Sequence, residues 1–153
     1  MIANLILIAI ALFALYGITL LSLRQNLLHD LRELQRRQGV LMNDYGKRRD
    51  QVPLLLESTR EDAPQPSDTW RKLVTDRTTA PELDFEKELN EFLQNPTFKS
   101  LGFLEAKKSI TEISALIEKQ KQEIQAAIAV FNAKRREFPY SMATTVFAFH
   151  ELA

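Results

Sequence analysis

"FLEAKKSITEISALIEKQKQEIQAAIAVFNAKRREFP", Phe103 to Pro139, decides the fold class. Phe103, Ala106, Ile110, Ile113, Ile117, Gln120, Ile124, Ala127 and Phe131 fall at alternating spacings of three and four, and all but Gln120 are apolar. That is the period of a helix with one buried seam, and it excludes the period-two alternation of a half-buried strand. Lys134 and Phe138 continue the spacing until Pro139 ends it. Helical from Ser100 to Glu137, the segment is ~57 Å long at ~1.5 Å per residue.

A second seam runs earlier in the chain. Leu27, Leu31, Leu34, Gln38, Leu41, Tyr45, Arg48, Val52 and Leu55 repeat the spacing, apolar at all but Gln38 and Arg48, with Leu28 and Met42 widening the face. Gly39 and Gly46 lie inside it; each costs about 1 kcal/mol in a helix without stopping one. Between the two seams, Trp70, Leu73, Val74 and Arg77 have helical spacing, and so do Phe85, Leu89, Phe92 and Leu93. Pro81 kinks or splits that middle element, and Ser67 or Asp68 is a natural cap for its start. Pro64, Pro66 and Pro96 mark turns. These features predict an all-α chain, an antiparallel up-down helical bundle of three to four long helices. A parallel coiled-coil oligomer is the rival, and the proline turns favour folding back within one chain.

The first helix has a special beginning. "MIANLILIAIALFALYGITLLSL", Met1 to Leu23, carries no charged side chain. Ile2 to Leu23 would span ~33 Å, and a bilayer core is about 30 Å thick. A cleaved signal peptide has an apolar core of about 7–15 residues behind a positive leader. This run is longer, and no lysine or arginine precedes it. The expectation is a transmembrane anchor over residues 1–23, continuous with the first helix of a body over residues 24–153. Arg24, Arg32, Arg36 and Arg37 follow the apolar run against Asp30 and Glu33, which by the positive-inside rule places the body on the cytoplasmic side.

Composition narrows the function. Lysine plus arginine, 20, equals aspartate plus glutamate, 20, so no global basic bias argues for nucleic acid. With no cysteine, the chain has no disulfide, thiolate nucleophile or cysteine metal ligand. His29 and His150 are unaccompanied at opposite ends, and the Glu-x-x-His pairs of a diiron bundle are absent. Ser109, Ser114 and Ser141 have no neighbouring base, and there is no glycine-rich phosphate loop. Glu82, Asp84, Glu86, Glu88 and Glu91 read as a solvent-facing acidic cluster. The chain is expected to hold no metal or cofactor and to catalyse no reaction.

The stretch "KRRDQVPLLLES", Lys47 to Ser58, carries what functional signal there is. Lys47, Arg48 and Arg49 are candidate partner-binding residues; the alternatives are a solvated face with one cation paired, or contact with lipid. Lipid contact is disfavoured, because Arg24 to Arg49 is a rise of ~37 Å in a helix and charges are screened over about 8 Å. Arg48 sits on the seam between Tyr45 and Val52, so its charge needs an acid; Asp76, Glu112 and Glu118 are candidates. Pro53 either kinks a continuing helix, with Asn132 or an arginine satisfying the freed Arg49 carbonyl, or begins a new one. Trp70, Phe131 and Phe138 read as core aromatics rather than a ligand platform. Phe147 and Phe149 would cover a bundle end, or dock on a partner or a membrane.

Taken in order, these segments resemble the LemA family. After an amino-terminal anchor, "KRRDQVPLLLE" is similar to the family's basic pair, spacer and apolar-proline step, carried here by Arg48, Arg49 and Pro53. "LVTDRTTA" supplies Val74 and, three residues on, Arg77; "FNAKRREFP" supplies Phe131, Asn132, Phe138 and Pro139. Gln25-Asn26 stands where the family has Tyr-Asn. Departures are Gln25 in place of tyrosine, Ile124-Gln125 in place of a first Tyr-Asn, and prolines within Ala63–Pro66. The resemblance implies a single-pass, membrane-anchored antiparallel bundle in a bacterial inner membrane or an internal membrane derived from it, with no established enzymatic activity. Certain magnetosome membrane proteins are similar too. The function expected is a scaffold or adaptor working through protein–protein contact. The alternative is a self-assembling protein, a homo-oligomer, that organises or remodels such a membrane.

Overall fold

A computed structural model of the chain describes residues 2–60, 62, 68–79 and 81–152. Every regular element among them is helical: α1 Ile2–Asp50, α2 Val52–Ser58, α3 Asp68–Thr79, α4 Glu82–Leu93, α5 Leu101–Arg136 and α6 Tyr140–Phe147. The expected turn at Pro64 and Pro66, and the expected Ser67 cap, lie outside the described residues. Asp68 is the first residue of α3, and Pro81 precedes α4 in an extended conformation, so the middle element is split. The chain divides into two compact units, Met1–Gly39 with Lys121–Ala153, and Val40–Gln120.

In the first unit α1 carries the apolar run without a break. That helix is long and apolar enough to cross a membrane, and only 6 % of its most apolar window is buried. The core of this unit is Leu23, Leu27, Leu34, Phe131 and Ala143, with Leu20, Leu31, Tyr140, Phe147, Phe149 and Leu152 packed against it. Lys134 reaches Asp30 at 2.6 Å, tying α5 to α1. After α6 the backbone turns through Ala148 in a left-handed conformation. The residues beyond lie back along α5. Asn132 donates from Nδ2 to the Leu152 carbonyl at 2.9 Å, and its Oδ1 accepts from the Leu152 N–H at 3.1 Å. Arg135 donates to the Phe149 carbonyl at 2.9 Å, and Arg135 and Arg136 both pair with Glu151. Phe147 and Phe149 therefore cover the end of their own unit.

The second unit closes on a larger core. Val52, Leu55, Leu56, Leu73, Phe85, Leu89, Phe92, Leu93, Phe98, Phe103 and Ile110 form one buried cluster, with Trp70 packed against it. Phe98 stacks between Phe92 and Phe103, its centroid 5.0 and 5.2 Å from theirs. The start of α5 is fixed by charge and capping. Asp62 accepts from the backbone N–H groups of Lys99 and Ser100, each at 2.9 Å, where the helix exposes unpaired donors. Those bonds, that to Ser100 foremost, hold its carboxyl below the usual range.

Pro53 lies in the first turn of α2, two residues past Gln51, where a missing N–H leaves no carbonyl unpaired within its own helix. This is the second of the two sequence readings. Asn132 has no part in it, being bonded to Leu152. Pro53→Ala is accordingly expected to change the unfolding free energy by no more than about 1 kcal/mol. Chemical denaturation of the two proteins side by side checks it, and a loss of several-fold that size would mean the ring shapes the helix path.

Candidate protein-docking site

The basic triplet belongs wholly to the second unit, and its three members do different things. Arg48 is 1 % exposed, the one buried cation among the described residues. Its Nη2 donates to Glu82 Oε1 at 2.5 Å, and its Nη1 donates to Ser114 Oγ at 3.2 Å and Glu86 Oε1 at 3.4 Å. Tyr45 covers its guanidinium face at 5.6 Å. Arg49 donates to the other Glu82 oxygen through Nε at 3.1 Å and Nη2 at 2.8 Å, caps α3 at the Arg77 carbonyl at 2.9 Å, and stacks on Phe85 at 4.8 Å. Glu82 thus takes one arginine on each oxygen, and it does so in the first turn of α4, where the helix end favours an anion. Lys47 stays at the surface and donates to Asp44 at 2.7 Å.

Two expectations are corrected here. Arg48 does not present its charge to a partner, because burial without an acid would cost several kcal/mol and the fold supplies two acids instead. Those acids are Glu82 and Glu86, from the cluster read as solvent-facing, rather than Asp76, Glu112 or Glu118. Asp76 is engaged with Glu88, whose hydrogen bond pushes its carboxyl above the usual range, and Lys72 pairs with that same Glu88. Glu112 and Glu118 are exposed.

Asp44 was missed entirely. It is buried on α1, one residue from the expected seam position Tyr45. Besides Lys47 it accepts from Gln120 Nε2 at 2.8 Å, 76 residues away. The hydrogen bond from Lys47, then that from Gln120, holds its carboxyl below the usual value of 3.8, with burial opposing. A carboxyl depressed in the folded state stabilises the fold above its unfolded value, and that contribution disappears as pH falls through its folded one. Acid unfolding should therefore steepen below about pH 4, and Asp44→Asn should flatten that part of the stability curve. Equal slopes in both proteins would show the carboxylate to be neutral toward folding.

Beside the arginine clamp the second unit opens a shallow groove of about 250 Å³. Val52, Pro53, Leu56, Trp70 and Val74 give it apolar walls, and Glu57, Arg60 and Arg77 rim it. Three residues singled out in the sequence, Pro53, Val74 and Arg77, meet here. Four more from the same pattern lie in the first unit: Phe131 in its core, Asn132 on Leu152, Phe138 at the surface and Pro139 just ahead of α6. Phe138 is 80 % exposed, which corrects its assignment to the core; α5 ends at Arg136, so the seam stops before reaching it.

No family model matches the chain, and no curated protein or solved structure matches it. The site must be read from its own chemistry. The groove offers apolar walls, an aromatic ring and rim charges of both signs, which suit a short peptide segment better than a polar metabolite. Among the described residues, no three histidine, aspartate or glutamate side chains gather as a metal site.

Proposed function

We propose that the chain is a membrane-anchored helical scaffold or adaptor, acting by localisation and protein–protein contact without bond chemistry. The observation that carries this reading is the exposure of the apolar run. A core helix of a soluble protein would be mostly covered, whereas this one is 6 % buried over its most apolar window, and lipid is the medium that suits such a surface. Retention as an anchor, rather than cleavage, is supported by the unbroken continuation of α1 to Asp50, with Leu23 and Leu27 already part of a packed core. Arg24, Arg32, Arg36 and Arg37 favour the cytoplasmic side of a bacterial membrane.

The proposed architecture is antiparallel. Within the second unit Asp44 bonds Gln120 and Arg48 bonds Ser114, so positions on α5 fall as those on α1 rise. The LemA resemblance implies the same antiparallel arrangement. In this reading the groove takes a peptide segment of a protein partner.

Two measurements test the proposal. The intact mass of the membrane-extracted protein should be that of the whole 17.6 kDa chain, and a shorter product would make the apolar run a leader. A photo-reactive residue in place of Val74, exposed on the groove wall, should capture one discrete heterologous protein in cells. Lys47 is a poorer position, since it holds the buried Asp44. A ladder of self-crosslinks would replace the adaptor with a self-assembling membrane organiser, and an absence of crosslinks would remove the groove as a docking site.

A further inference from the structure

The first unit has a second surface suited to lipid. Helix α6, "YSMATTVF", contains no charged residue. It buries Ala143 and packs Tyr140 and Phe147 against a cluster that includes Leu20 and Leu23, the last turns of the apolar run. Phe147 also lies under Arg24, so α6 reaches the point where α1 leaves its apolar stretch, whose Ile18 and Leu21 are exposed. Two large apolar side chains of this region face solvent instead of the core: Phe138 at 80 % and Val146 at 57 % exposed. Water is a poor surrounding for them, and no other element of the first unit covers them. Cations border the same region. Arg24 lies 5.2 Å over the Phe147 ring, and Arg135 and Arg136 sit on the last turn of α5 just before Phe138. An uncharged short helix with outward apolar residues, a tyrosine and bordering arginines is the composition that settles at a headgroup layer.

We infer that Phe138 and Val146, carried by the turn into α6 and by α6 itself, insert into the headgroup region of the same membrane that α1 crosses, giving the protein a second lipid contact. The inference rests on the anchor reading. Its occupant is the lipid surface because the patch adjoins the apolar stretch of α1, and a separate protein partner would have no reason to meet it there. The contact would fix the rotation of α1 about its own axis, which a lone spanning helix leaves open.

The absence of cysteine makes the test direct. Phe138→Cys, Val146→Cys, Phe13→Cys and Leu83→Cys each allow one spin label on the full chain, reconstituted in vesicles of phosphatidylcholine with a minor share of phosphatidylglycerol. All four native side chains are exposed, so the labels leave the folded core alone. Collision with a water-soluble nickel chelate should be several-fold lower at 138 and 146 than at 83. Collision with oxygen should be several-fold higher, as at a depth of about 5–10 Å. Label 13 should be shielded from nickel most of all. If 13 is deep while 138 and 146 match 83, the second contact is wrong and the anchor stands. If 13 matches 83, both readings fall. Shielding of 138 and 146 from nickel and oxygen alike would mean a protein covers them and would overturn the inference.

Discussion

Replacing Arg48 with alanine should lower the unfolding free energy of the full chain by about 3–5 kcal/mol. Arg48 is the most deeply set charge among the described residues, and its removal does two kinds of damage. It leaves a hole among buried side chains, and it takes the counter-charge from Glu86 and from one oxygen of Glu82. Both glutamates retain some access to water, so the cost should fall toward the lower end of that range. Arg48→Met separates the two contributions. It refills much of the volume but, like alanine, takes one cation away from Glu82 and Glu86, and removing one partner of a buried pair is costly. Methionine should therefore recover the packing part of the loss and leave the electrostatic part. Arg48→Lys should recover little, because a single ammonium cannot serve Glu82, Glu86 and Ser114 from one fork. Urea titration followed by helical circular dichroism, in detergent, ranks the three variants. If alanine and methionine were equally harmful, the packing part of the argument would be lost and the missing charge would carry the whole effect.

The second large effect is expected at Phe131. It is 2 % exposed and central to the only buried cluster described in the first unit. Phe131→Ala should cost about 3–5 kcal/mol, the usual range for truncating a buried aromatic. Phe138→Ala, seven residues later on the same spacing, should change stability in detergent by less than about 0.5 kcal/mol, as exposed substitutions do. The contrast is informative because the two residues look alike in the sequence. A large loss at Phe138 would place it in a core, against its exposure here.

Much of the helical architecture is legible in the sequence, and the reason is periodicity. Phe103, Ile110, Ile117, Ile124 and Phe131 are spaced by seven and every one is buried. Their flanking set, Ala106, Ile113 and Ala127, is only half-buried, so the true seam is narrower than the alternating pattern. The earlier seam holds at Leu27 and Leu34 on α1 and at Val52 and Leu55 on α2, and it slips by one residue at Tyr45, where Asp44 is the buried side chain. A carboxylate on a core face reads locally as an error. It becomes acceptable only through Gln120, and which residue faces it depends on the register between two helices far apart in the chain. The same ignorance of register made Asp76, Glu112 and Glu118 plausible mates for Arg48, when an acidic run assigned to solvent supplied them. The groove was legible only as scattered motif residues, since Pro53 and Val74 become neighbours through the packing of α2 on α3.

The bond pair between Asn132 and Leu152 has its own consequence for substitution. The amide of Asn132 uses one donor and its acceptor, as a neighbouring peptide group would, and it engages the main chain of Leu152 rather than its side chain. The clasp is thus indifferent to the side chain at 152, which serves the core instead, but intolerant of proline there, which has no N–H to give. At position 132 the tolerance is reversed. Aspartate, nearly the same shape, would set a carboxylate oxygen against the Leu152 carbonyl, turning one arm of the clasp from attraction to repulsion.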